Sequence, residues 1–202
     1  VHAYRTLREA YGEYYTVKEG HRHEVLSYVM ENDEETQQAF MEAEPRLLGH
    51  GDHVHEVLQT LGDMGIILDV VSELIRTVGP VDQNVILRFL TAHDLRRYFR
   101  YLITPLGKID MGSGQVIDAQ YRGHTKGQGT IYDVLVADLR SQGIAPAEAV
   151  MVGDRPSTDI EPAHIRGLRT VQYSGYSHWP PTPAADAVIH DFLALPPLIA
   201  AW

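Results

Sequence analysis

Hydrophobic positions recur with two different periods along this chain. In residues 1 to 47, Leu7, Tyr11, Tyr14 and Tyr15, and then Val25, Leu26, Tyr28 and Val29, repeat at helical spacing, with Gly20 and Asn32-Asp33 as breaks. That stretch predicts helices and no strand. From Asp52 onward helical patterns alternate with short apolar runs. A helix over His53–Leu61 is followed by Gly65-Ile66-Ile67-Leu68-Asp69-Val70-Val71, whose shortness and β-branched content predict a strand. Further strands are expected over residues 101–104, 149–152, 169–173 and 187–189, with helices over 131–142 and 160–166. Residues 107–123 alternate around Gly112-Ser113-Gly114 and predict a surface hairpin. Strands alternating with helices imply a parallel sheet covered on both faces, a three-layer α/β core over residues 48–202 carrying a small all-α unit at residues 1–47.

Composition narrows the function. With 17 basic and 27 acidic residues in 202, the formal charge is -10, which repels phosphate backbones and anionic lipid surfaces and argues against nucleic acid or membrane partners. The acidity is concentrated in residues 1–58, which hold 12 acidic and 5 basic residues. There is no cysteine, so disulfide frameworks, thiolate metal sites and cysteine nucleophiles are excluded. No apolar run reaches the roughly 18 to 20 residues of a membrane span, and Val1-His2-Ala3-Tyr4-Arg5 lacks a signal-peptide layout, so a cytoplasmic location is expected.

The candidate chemistry centres on Val150-Met151-Val152-Gly153-Asp154-Arg155-Pro156-Ser157-Thr158-Asp159, an apolar strand ending in a glycine and then two carboxylates five positions apart. In open α/β sheets ligands bind beyond the carboxyl ends of the strands, where glycine permits close approach. Asp154 and Asp159 are therefore candidate ligands for Mg²⁺, which takes oxygen donors and keeps several waters beside a substrate phosphate. The competing reading is a Gly-Asp turn with a helix cap at Thr158 or Asp159. Two further groups stand at comparable places. Lys126 precedes the helix that begins near Ile131, and Ser72 ends the first apolar strand. Singly, each is ordinary: a strand-end hydroxyl commonly bonds backbone, and a lysine near a helix start is commonly solvated.

Taken in order, Ser72, Lys126 and Gly153-Asp154 with Asp159 make the chain resemble the haloacid dehalogenase-like hydrolase superfamily over about residues 48–195. The resemblance implies a Rossmann-like core with a helical cap, and a Mg²⁺-dependent phosphatase acting on a small phosphorylated metabolite through an aspartyl-phosphate. In that scheme Ser72 and Lys126 are catalytic, Asp154 holds the metal, and Asp159 assists or holds Lys126. The superfamily's first motif, a strand ending in Asp-x-Asp that supplies the nucleophile, has no counterpart here. Asp63-Met64-Gly65 follows a helix, and Asp110-Met111-Gly112 lies in the hairpin. The nucleophile is accordingly expected upstream of Val1, on an extension of about 10 to 25 residues contributing a strand between the Ser72 and Gly153 strands. An inactive ligand- or protein-binding relative, or a haloacid dehalogenase, are the alternatives.

Other features are bland. His50, Asp52, His53 and His55 fall close enough in sequence to ligate a metal, but sit where linker and capping residues belong. Tyr11, Tyr14, Tyr15 and Tyr28 are expected to pack the helical unit, and residues 192–199 to dock as a terminal element. The particular phosphate ester and the oligomeric state are not written in the sequence.

Overall fold

The computed structural model of the protein describes residues 32–73, 85–177 and 179–202. The helical periods before residue 32, with Tyr11, Tyr14, Tyr15 and Tyr28, lie outside the described residues. Contacts divide the described chain into two units, residues 32–49 with 85–96, and residues 50–73 with 97–202. The contact division falls beside residue 49 and places residues 85–96 in the first unit, whereas the sequence pattern divides the chain at residue 47 and keeps residues 85–96 with the core.

The first unit contains α1 (Glu34–Leu47) and, after the strand β1 (Val70–Val71) of the second unit, α3 (Val85–Ala92). The break at Asn32-Asp33 works as a helix start: the Asp33 carboxylate accepts the Thr36 N–H at 2.8 Å. Hydrogen bonds from Thr36 hold its carboxyl below the usual range. Glu34 and Glu35 in the first turn and Arg46 in the last complement the helix dipole. In α3, Val85 and Leu90 are buried.

The second unit is the α/β core. Its elements are α2 (Val54–Asp63), β1, β2 (Tyr101–Thr104), β3 (Gly107–Asp110), β4 (Val116–Asp118), α4 (Thr130–Ser141), β5 (Val150–Gly153), α5 (Glu161–Ile165), β6 (Arg169–Tyr173), β7 (Ala187–Ile189) and α6 (Leu195–Ala200). Alternate residues of β5 show the three layers. Met151 packs with Ile131, Tyr132 and Val136 of α4 and Ala163 of α5, whereas Val150 and Val152 pack with Val57 and Leu61 of α2 and Leu195 of α6. Full burial of such side chains stabilises by roughly 1.5–3 kcal/mol each.

Three features differ from expectation. First, the described strands form two sheets, β1-β2-β3-β4 and β5-β6-β7, so β1 and β5 each have a partner on one side only among the described residues. The expected strand between them is not among the described residues. Second, the run from Gly65 forms a ladder only at Val70 and Val71, parallel to Leu102 and Ile103. Its earlier part is held otherwise: Leu68 O accepts from Arg100 N, and the Asp69 carboxylate takes Tyr101 N at 3.0 Å and Arg100 Nη2 at 2.9 Å. Side-chain bonding there replaces strand pairing, and Ile67 remains exposed.

Third, β2, β3 and β4 run antiparallel, and the hairpin is only half a surface feature. Val116 and Ile117 of β4 are exposed, but Lys108, Ile109 and Met111 are buried. Lys108 is admitted to the interior because its ammonium lies 2.6 Å from Asp138 Oδ2 and 4.4 Å from the Tyr101 ring centroid. Tyr121 OH donates to the same Asp138 oxygen at 2.9 Å. Burial pushes the Asp138 carboxyl up, but the hydrogen bonds from Lys108 and Tyr121 outweigh it and the net shift is downward.

Candidate functional site

The end of β5 is shaped by the turn after it. Residues Pro156–Ile160 form one turn of π-helix, in which Ile160 N reaches back to Arg155 O at 3.4 Å and Asp159 N to the same oxygen at 2.9 Å. The wide turn directs the Asp159 side chain inward, where only 5% of the residue is exposed. Its Oδ2 accepts the Arg155 N–H at 3.1 Å and its Oδ1 accepts from Lys126 Nζ at 2.8 Å. This is not the helix cap of the competing reading: α5 has no side-chain cap, and Asp159 points back at the strand end. The close approach requires Gly153, since a Cβ there would fall on the Asp159 side chain, 2.7 Å from its Cγ.

Lys126 is fixed by the start of α4. Gly129 caps that helix in the left-handed region at φ 71, and its N–H bonds Lys126 O at 2.8 Å. Thr125 N donates to Thr130 Oγ1 and Gln128 N to Thr125 Oγ1, so the loop is tied at both ends. Beneath it the fully buried Tyr132 donates to Thr158 O at 2.9 Å, joining α4 to the π-turn. Burial raises the Tyr132 phenol, and the carboxylates of Asp159 and Glu73 raise it further.

Ser72 follows β1, and its N–H donates to Ile103 O at 2.9 Å, extending the β1–β2 pairing by one residue. Its neighbour Glu73 accepts the Gly127 N–H at 3.0 Å. The four residues singled out by sequence are thus linked from Ser72-Glu73 through Gly127-Lys126 to Asp159, and from there to the backbone beside Asp154. Asp154 is half-buried and makes no hydrogen bond or ion pair among the described residues. Sequence reasoning missed Glu73 because nothing local marks a contact 54 residues away.

Asp154 and Asp159 are therefore not equivalent. Asp159 is engaged by an ammonium and a backbone amide, whereas Asp154 is a carboxylate at a strand end with its oxygens available. Asp154 suits Mg²⁺ as one ligand of the one or two carboxylates such an ion takes from protein. Asp159 fits better as the group that holds Lys126. The histidine cluster does not assemble: among the described residues no group of three His, Asp or Glu side chains is placed to hold a metal. His53 sits in the left-handed region before α2 beside Glu56 at 3.4 Å, and His55 Nδ1 lies 3.3 Å from Tyr98 OH. A cleft of about 480 Å³ lined by Leu58, Gln59, Gly62, Asp63, Arg97 and Tyr98 contains none of the four candidate residues.

Residues 125–194, which hold Lys126, Asp154 and Asp159, match the sequence profile of a family described as HAD-hydrolase-like. No curated protein matches the chain. Among solved structures, a HAD phosphatase from Thermococcus onnurineus is similar at 22% identity and TM-score 0.58, covering 81% of this chain and 64% of that one. A 2-haloacid dehalogenase from Pseudomonas syringae is similar at 23% identity and TM-score 0.50, covering 77% and 55%. A HAD hydrolase from Bacillus subtilis bound to magnesium is similar at 15% identity and TM-score 0.52, covering 73% and 55%. The chain spans less than two thirds of the length of each of these, and at such identities the likeness establishes the fold. The profile match is confined to residues 125–194, and the solved structures show that the chain shares the fold of haloacid dehalogenase-like hydrolases. No helix among the described residues is long and apolar enough to cross a membrane.

Proposed function

We propose that the protein is a phosphohydrolase acting on a small phosphate ester, with Lys126 and Ser72 contacting the transferring group and Asp154 holding Mg²⁺. The observation that carries this reading is the buried Lys126–Asp159 pair beside the Gly153-Asp154 strand end. Phosphoryl transfer asks a protein mainly for positioned charge. Lys126 offers it: one of its three N–H donors is spent on Asp159, which fixes the direction of the others. The Ser72 hydroxyl would add a neutral donor at the end of β1.

Mg²⁺, when bound, would neutralise charge on the transferring oxygens. The acceptor of the phosphoryl group would be a carboxylate supplied from outside the described residues, forming an aspartyl-phosphate that water then opens, so one difficult displacement becomes two easier ones. The helical first unit would serve as a cap, and the chain's negative charge favours small esters over nucleic acid.

Hydrolysis of a generic aryl phosphate tests this. Lys126→Ala is expected to lower kcat/KM by about 100-fold or more, since one positioned electrostatic donor is worth that much. Lys126→Arg, too long and planar for the same pocket, should recover little. Wild-type activity equalled by Lys126→Ala would refute the assignment.

A further inference from the structure

We infer that Glu73 is a positioning residue: its carboxylate latches the loop that carries Lys126 to the end of the strand that carries Ser72, so that the ammonium and the hydroxyl are presented as one unit. The inference rests on the phosphohydrolase reading for its consequence, though not for the latch itself.

The two loops have no backbone ladder between them. Ser72 is fixed from one side by its N–H bond to Ile103 O, and Lys126 from the other by Asp159 and by the turn closed at Gly129. Each of these two anchors holds its loop to its own sheet or helix. Among the described residues, a tie that spans the two loops is the Gly127 N–H donating to Glu73 Oε1 at 3.0 Å. It joins the residue after Ser72 to the residue after Lys126. The bond is charge-assisted, about twice as strong as a neutral one. Glu73 is intermediate in exposure and the bond lies at the surface, so the latch is open to solvent exchange.

A second carboxylate near a phosphate-binding lysine is otherwise hard to account for. It offsets part of the positive charge that an anionic ester needs, so its charge alone works against binding. Its use must then lie in its reach and its acceptor oxygen. That distinction makes the role testable, because Glu73→Gln keeps both and removes the charge, whereas Glu73→Asp keeps the charge and withdraws the oxygen by one methylene.

Two measurements on the whole protein decide it. The first is hydrogen exchange at the Gly127 amide, which is independent of any activity. It should speed up by about tenfold in Glu73→Ala and Glu73→Asp, matching the loss of one charge-assisted bond, and by only about threefold in Glu73→Gln, which keeps a neutral bond of about half that strength. The second is affinity for inorganic phosphate, with KM and kcat for an aryl phosphate alongside. Glu73→Ala and Glu73→Asp should weaken phosphate binding and raise KM about three- to tenfold, and Glu73→Gln should bind phosphate as tightly as wild type or more so.

Equal Gly127 exchange in all four proteins overturns the latch. Faster exchange with unchanged phosphate affinity overturns the positioning role and leaves only a structural tie. A Glu73→Gln variant as impaired as Glu73→Ala also overturns it, since charge and not reach would then be the cause. If wild-type protein binds no phosphate while Gly127 exchange keeps the expected pattern, the phosphohydrolase reading has failed, and the positioning role falls with it although the bond is real.

Discussion

The Lys126–Asp159 pair makes a quantitative prediction. Both side chains are mostly hidden, at 13% and 7% exposure, and their charged atoms are 2.8 Å apart. At an effective dielectric of about 20, the attraction at that separation is roughly 6 kcal/mol, but desolvating two ions costs several kcal/mol each, so the intact pair sits near balance. Severing it from one side does not. Asp159→Asn keeps an acceptor for the Arg155 N–H and leaves Lys126 facing an amide, which should cost about 3–4 kcal/mol. Lys126→Met leaves Asp159 with its backbone donor and should cost about 1–2 kcal/mol.

The double variant should be more stable than the sum of the two losses, with a coupling of about 1–3 kcal/mol. Urea unfolding of the four proteins, at constant slope, measures this directly. A cost below about 1 kcal/mol for Asp159→Asn, or strict additivity, would show that the lysine is not locked to Asp159 in solution.

Gly153→Ala should destabilise by about 1–3 kcal/mol and disable the site, because the new methyl occupies the place of the Asp159 carboxylate. A variant with native stability and turnover would contradict that packing. Tyr121 and Tyr132 are both buried with raised phenol pKa values. Folding therefore favours the protonated phenol, the stabilisation is complete below the unfolded value of about 10, and it is lost as pH rises beyond that. The melting temperature should fall steeply above about pH 10 and less steeply in Tyr132→Phe, and a flat profile to about pH 11.5 would refute it.

Much of the second unit is legible in the sequence because its strands are short, apolar and separated by helices. β2, β6 and β7 fall on the expected residues, since Leu102-Ile103 and Thr170-Val171-Gln172 are buried and their sequence carries that fact. The expected β1 is too long because Ile66 and Ile67 look like buried strand residues, whereas Asp69 binds Arg100 and the Tyr101 amide and ends the pairing at Val70. Residues 85–96 fall in the wrong unit because a helical period does not say which unit it packs against.

The antiparallel β3 reads as surface because a lysine ordinarily marks solvent, yet Lys108 is paired with an aspartate 30 positions away. Ser72, Lys126, Asp154 and Asp159 are legible as an ordered set of residue types, and the fold brings Lys126 onto Asp159. The order does not tell that the two aspartates differ, because Asp159 faces inward only through a π-turn that periodicity does not encode. Glu73 depends in the same way on a contact that only the folded chain creates.

Asp154 is a carboxylate at the end of β5 with no hydrogen-bond or ion-pair partner among the described residues. The most direct test is release of phosphate from an aryl phosphate by the whole protein, with Mg²⁺, with chelator, and in Asp154→Asn. Turnover should be abolished by chelator and restored by Mg²⁺, and the Asp154→Asn protein should unfold like wild type but be at least about 100-fold slower. Turnover indifferent to both chelator and the substitution would contradict it.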